Sequence, residues 1–159
     1  VMLQDNYLFS KSIFENITYG KRDTKLEEVI NVCKEIQIHD WIMSLKDGYN
    51  TVLHNNGKEI STGQKQLICF ARTIIANPKI LILDEATSNV DLKTEKLVQN
   101  GLHKLLKNRT SIIIAHRLST ITDCDKIMVL KNKTIYESGT HQELMNKKGE
   151  YYKLYTSQL

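Results

Sequence analysis

Two carboxylates with no residue between them, Asp84 and Glu85, close the run Ile80-Leu81-Ile82-Leu83-Asp84-Glu85. Four aliphatic residues in a row read as a strand buried on both faces, as inside a parallel sheet. Adjacent like charges at the end of a dry strand are costly, because each ionised carboxylate loses much of its solvation. A cation at that end removes the cost. The carboxyl end of a strand is also where open α/β sheets bind ligands. One carboxylate to hold Mg²⁺ and one to orient a water is the pair that phosphoanhydride hydrolysis needs. Taken by itself, the hexapeptide suits equally well a core strand that ends in a solvated acidic turn.

The neighbouring segments separate these readings. Upstream lies Ile60-Ser61-Thr62-Gly63-Gln64-Lys65-Gln66, and downstream Ala86-Thr87-Ser88-Asn89-Val90-Asp91. Ser111-Ile112-Ile113-Ile114-Ala115 then runs into His116-Arg117, and the chain starts Val1-Met2-Leu3-Gln4-Asp5. In this order and at this spacing they resemble the later motifs of an ABC-transporter nucleotide-binding domain, over essentially the whole chain. The resemblance makes Gln4 the Q-loop glutamine and ISTGQ the signature motif. ILILDE becomes the Walker B strand with its catalytic glutamate, SNVD the D-loop, and His116 the switch histidine.

What the resemblance implies is specific. Glu85 is the general base that aligns water against the γ-phosphate of ATP, and His116 contacts that phosphate and holds the water. Asp84 is the Mg²⁺ partner, and Gln4 reaches the same ion while its loop senses a membrane domain. Ser61, Gly63 and Gln64 open a helix whose amino end faces ATP held by the opposing domain, since free N–H groups and partial positive charge there suit a phosphate. Asp91 sits at the dimer interface; without the family context it reads as a helix N-cap. The cofactors are then ATP and Mg²⁺. The partners are a second nucleotide-binding domain, head to tail, and a transmembrane domain, with no nucleic acid. The site is the cytoplasmic face of a bacterial membrane.

The pattern also departs from the family. Thr62 replaces a glycine and Ile60 a leucine, and a β-branched residue resists positive φ and close backbone approach. His54 and Asn55 stand where exporters often carry Gly-Glu. No G-x-x-x-x-G-K-[ST] loop occurs: Gly20-Lys21 and Gly57-Lys58 lack the following Ser or Thr. The expectation is a piece of the domain running from the Q-loop onward. The matches Gln4-Asp5, Leu8-Phe9, Ser12-Ile13 and Asn16-Ile17 resemble the exporter subclass. Two rivals are a non-transport ABC ATPase and a non-catalytic module that pairs with a complete ABC domain.

The elements that would position these residues follow from capping and periodicity. Ser12-x-x-Glu15, Thr24-x-x-Glu27 and Thr140-x-x-Glu143 read as capping boxes. A short helix around Trp41 is expected to close at Gly48. Residues 12–76 read as a helical subdomain, with 1–11 and 77–159 forming the remainder of the ATPase core. Strand Ile80–Leu83, a helix over Leu92–Leu106 and strand Ser111–Ala115 alternate as in a parallel sheet. Strands Lys126–Leu130 and Thr134–Glu137 flank a turn at Asn132-Lys133, the pattern of a hairpin, and Tyr151–Leu159 reads as a last helix. The fold class is therefore α/β, a P-loop NTPase-like sheet without its first strands, with an inserted helical subdomain.

Bulk properties agree with a cytosolic piece of a larger machine. The 159 residues suit one domain. The net charge of +4 is spread over scattered lysines, which does not make a nucleic-acid patch. No run approaches the ~20 apolar residues of a membrane span. Cys33, Cys69 and Cys124 are odd in number, lack metal-like spacing and read as buried thiols.

Overall fold

The computed structural model describes residues 7–84, 92–115 and 117–158. The chain divides into a first unit of Val1–Leu83 with Ser88–Ile112, and a second of Asp84–Thr87 with Ile113–Leu159.

The first unit is built on one long helix. Helices α1 (Ile13–Ile17), α2 (Leu26–Glu35) and α3 (His39–Ser44) precede α4 (Thr62–Ala76), which touches α1, α2 and the later helix α5 (Leu92–Leu106). Helix α4 buries Leu67, Ile68, Phe70, Ala71 and Ile75, the apolar face its sequence announces. Gly101 on α5 lets the two helices close up: a Cβ there would stand 3.0 Å from Leu67 and 3.1 Å from Phe70. Asn77 ends α4 in the left-handed conformation at φ 44°, a conformation that asparagine tolerates. Arg109 ties both helix ends together, donating to the Leu105 carbonyl of α5 and to Asn77 Oδ1 at 3.0 Å.

Strand β1 (Ile80–Asp84) pairs with β2 (Thr110–Ile114) across α5. The Thr110 N–H donates to the Lys79 carbonyl at 3.2 Å, which places the two strand starts side by side, as in a parallel pair. Burial on both faces does not hold. Leu81 and Leu83 are buried, but Ile80 is 65% exposed and Ile112 on β2 52%. Among the described residues only one face of this pair is covered, so the strand is half-buried despite its unbroken aliphatic run.

The second unit packs an antiparallel hairpin against two short helices. Strand β3 (Ile127–Lys131) pairs with β4 (Thr134–Gly139), with an irregularity after Val129. The turn at Asn132-Lys133 has both residues at positive φ, 51° and 64°, as a two-residue hairpin loop demands. Helices α6 (His141–Lys147) and α7 (Glu150–Thr156) close a core of Ile121, Ile127, Leu144 and Tyr151. Glu137 at the end of β4 binds the start of α7, accepting from the Glu150 N–H at 2.9 Å and the Tyr151 N–H at 3.0 Å. Gly149 permits this approach, since a Cβ there would overlap the Glu137 carboxylate.

The capping boxes at Ser12 and Thr140 form as expected. The one at Thr24 does not. The Thr24 hydroxyl donates to the Lys21 carbonyl at 2.7 Å, and α2 starts one residue later. There the Lys25 N–H meets Glu28 Oε1 at 3.4 Å, and lysine has no acceptor to complete the exchange. Nor does Gly48 end the helix around Trp41: α3 stops at Ser44, and Gly48, at φ 50°, opens a separate 3₁₀ turn. Cys33 and Cys69 are buried, whereas Cys124 is only partly so.

Candidate functional site

The amino end of α4 is the best-defined part of the candidate site. Ser61 is extended at φ −66° and ψ 158°, and its Oγ accepts from the Gln64 N–H at 3.2 Å. Gln64 Oε1 in turn accepts from the Ser61 N–H at 2.9 Å. This reciprocal box fixes the first turn and leaves the N–H groups of Thr62 and Gly63 without intrahelical acceptors. No acidic residue occupies that turn, so no carboxylate of the turn itself offsets the positive end of the helix. Ser61 and Thr62 are exposed, and Gly63 is buried. The end therefore suits an anion such as phosphate. Thr62 sits in ordinary helical backbone and is absent from the residues at positive φ, so glycine's freedom is not needed here.

The other expected site residues are distributed differently. Asp84 ends β1 and is half-buried. Gln4, Glu85, Asp91 and His116 lie outside the described residues. The structure thus brings Ser61, Gly63 and Gln64 onto one helical turn and puts Asp84 at a strand's carboxyl end. Among the described residues, no three His, Cys, Asp or Glu side chains gather as a metal cluster.

Sequence reasoning missed the support behind α4. Arg72, three turns along the helix, donates from Nε to the Asn16 carbonyl at 2.8 Å. Its two terminal nitrogens donate to Asn16 Oδ1 at 2.9 Å and to the Tyr7 carbonyl at 3.0 Å. The guanidinium also lies 5.4 Å from the centre of the Phe9 ring. Asn16 is fully buried. Its Oδ1 accepts from the Phe9 N–H at 2.9 Å, and its Nδ2 donates to the carbonyls of Phe9, Lys11 and Ser12. One signal was available: Arg72 is the only charged residue between Gln66 and Asn77. A lone arginine in an apolar helical run needs partners to be buried.

Local electrostatics elsewhere in this unit are structural. Glu15 is held below the usual carboxylate range by the Ser12 backbone N–H and hydroxyl. Burial pushes the Cys33 thiol up to about 11 and the Cys69 thiol up to about 11, so both stay protonated. The Tyr49 hydroxyl is raised by burial and pairs with His39 Nδ1 at 2.9 Å.

Comparison with known proteins adds to this geometry. A family model described as ABC transporter matches residues 1–88. YgaD of Bacillus subtilis, named as a candidate multidrug export ATP-binding/permease protein, is 50% identical over 158 residues, covering 99% of this chain and 27% of that protein. YfiC of the same organism, named as an uncharacterized ABC transporter ATP-binding protein, is 52% identical over 157 residues, covering 99% of this chain and 26% of its own length. A solved structure of a bacterial Atm1-family ABC exporter with ATP bound superposes with a TM-score of 0.85 at 39% identity, over 98% of this chain and 27% of that one. The chain spans about a quarter of the length of the relatives it matches.

Proposed function

This chain belongs to the ABC transporter family, and on that premise we propose that it forms part of the ATP-binding and ATP-hydrolysing domain of a bacterial exporter. The observation that carries the reading is the amino end of α4, reciprocally capped by Ser61 and Gln64 and free of acidic residues in its first turn. In this reading the turn faces the γ-phosphate of ATP held by a second nucleotide-binding domain, arranged head to tail. Thr62 and Gly63 N–H groups and the Ser61 hydroxyl donate to phosphate oxygens, and Gly63 brings no side chain into the approach.

The remaining roles follow the order of the motifs. Asp84, at the carboxyl end of β1, binds Mg²⁺, with Gln4 as a second ligand. Mg²⁺ neutralises phosphate charge when bound. Glu85 accepts the proton of the attacking water, and His116 holds that water and the γ-phosphate. Asp91 links the two nucleotide sites across the dimer. A transmembrane domain of the same transporter receives the resulting movement, which places the site at the cytoplasmic face of the membrane. Residues 12–76 act as the helical subdomain and the rest as part of the ATPase core.

The test is Glu85→Gln in the full-length protein. An amide keeps the shape but is a poor base, so turnover is expected to vanish while ATP still binds. Near-normal steady-state hydrolysis would sink the assignment.

A further inference from the structure

We propose that Arg72 is a positioning residue that makes the 7–16 segment and helix α4 one mechanical body, so that movement at the Ser61 end is delivered to the Tyr7–Ser12 loop. The inference rests on the nucleotide reading of the α4 amino end. Three observations carry it. First, the guanidinium uses its planar fork on three acceptors at once, at 2.8, 2.9 and 3.0 Å, two of them main-chain carbonyls of Tyr7 and Asn16. Arginine can do this and lysine cannot, because an ammonium is a point donor on a flexible stem. Second, the receiving segment is braced by bonds of its own besides those to Arg72: the fully buried Asn16 amide binds the backbone of Phe9, Lys11 and Ser12. Third, α4 is uninterrupted from Thr62 to Ala76. Ser61 and Arg72 are eleven residues apart, which is roughly 16 Å of helix axis. A displacement at one end of such a rod appears at the other.

The far end of the link is exposed. Phe9 stacks on Tyr19 with ring centres 4.3 Å apart and meets Tyr7 edge to face at 5.2 Å. Tyr7 and Tyr19 both reach the surface. Arg72 thus joins a helix end suited to phosphate with a surface loop that lies more than fifty residues earlier in the chain.

The experiment is hydrogen exchange on the full-length transporter, wild type, Arg72→Lys and Arg72→Gln, each with and without Mg-ATP. In wild type, ATP is expected to slow exchange both at the first turn of α4 and in the 8–11 amides. In the variants the α4 turn still responds, whereas the 8–11 amides exchange roughly tenfold faster or more and no longer follow nucleotide. Both variants are expected to keep wild-type protection in α2 and α7. Joint response retained in Arg72→Gln overturns the proposal. So does protection lost throughout both variants, because Arg72 would then serve folding alone. A wild-type protein whose α4 turn ignores Mg-ATP counts instead against the nucleotide reading itself.

Discussion

Ser61 has one role in the structure and a second in the proposal. Its Oγ is an N-cap, and its substitution by a non-capping residue is expected to cost about 1 kcal/mol of helix stability. Its exposed position at a helix end without acids is what the proposed phosphate contact requires. The two roles separate in Ser61→Arg. This variant, in the full-length protein, is expected to lose ATPase activity by roughly 10²-fold, the scale on which one transition-state donor matters. Its thermal melt should move only slightly, as for a lost cap. Unchanged hydrolysis with an unchanged melt would show that the ISTGQ end is not a working interface. The helix start at Ser61 was legible, but the reciprocal Ser61–Gln64 box was not read there, although its three-residue spacing and residue types announce it. The Arg72–Asn16 knot was not legible, because its contacts cross 56 and 65 residues and no local pattern predicts them.

The elements were legible where their signals are local and misread where neighbours decide. Helix α5 falls on Leu92–Leu106 as its apolar spacing indicates. The Thr24 box failed because the hydroxyl finds the Lys21 carbonyl first. Among the described residues β1 is not buried on both faces, because aliphatic content reports what a strand tolerates, while cover comes from other segments. One contact in the second unit gives a pH prediction. Glu137 is held below its ordinary value of 4.5 chiefly by the Tyr151 and Glu150 N–H groups at the start of α7. A carboxylate with a depressed folded-state value contributes stability that is fully present above its unfolded value and is lost as pH falls through the folded one. The melting temperature is therefore expected to drop as pH passes below the mid-four range, and to drop less steeply in Glu137→Gln, which starts lower at neutral pH. Parallel pH profiles for the two proteins would refute this. Gly149→Ala should mimic the loss by driving the carboxylate off α7.

At the scale of the whole molecule, the fold class was readable because βαβ alternation and a closing hairpin are repeated signals. The surface was not, because it depends on which segments cover which faces. Ile80 and Ile112 in the first unit are more than half exposed, and Leu130 in the second is 73% exposed. Apolar strand surface of this kind favours association between chains. The 159-residue polypeptide prepared by itself is expected to self-associate and to show no Glu85-dependent ATP hydrolysis, since it carries no G-x-x-x-x-G-K-[ST] loop to cradle the β- and γ-phosphates. Light scattering and a phosphate-release assay check both. A monodisperse monomer that turns over Mg-ATP would be the contrary result.

The buried amide of Asn16 also bears on the order in which the chain takes shape as it is synthesised. Its side-chain bonds to Phe9, Lys11 and Ser12 all lie within seven residues, whereas the same segment is also held from further along: the Leu8 N–H donates to Asn56 Oδ1 at 2.7 Å, the Ile13 N–H to the Thr51 carbonyl and the Leu53 N–H to the Lys11 carbonyl, both at 3.0 Å. Arg72 leaves the ribosome 56 residues after Asn16. At about 5–20 residues per second, several seconds separate the two events, while closing a loop of this length takes well under a microsecond. The local bonds of Asn16 are thus the first that can form, those from residues 51–56 become possible next, and the arginine of α4 can add its three only last.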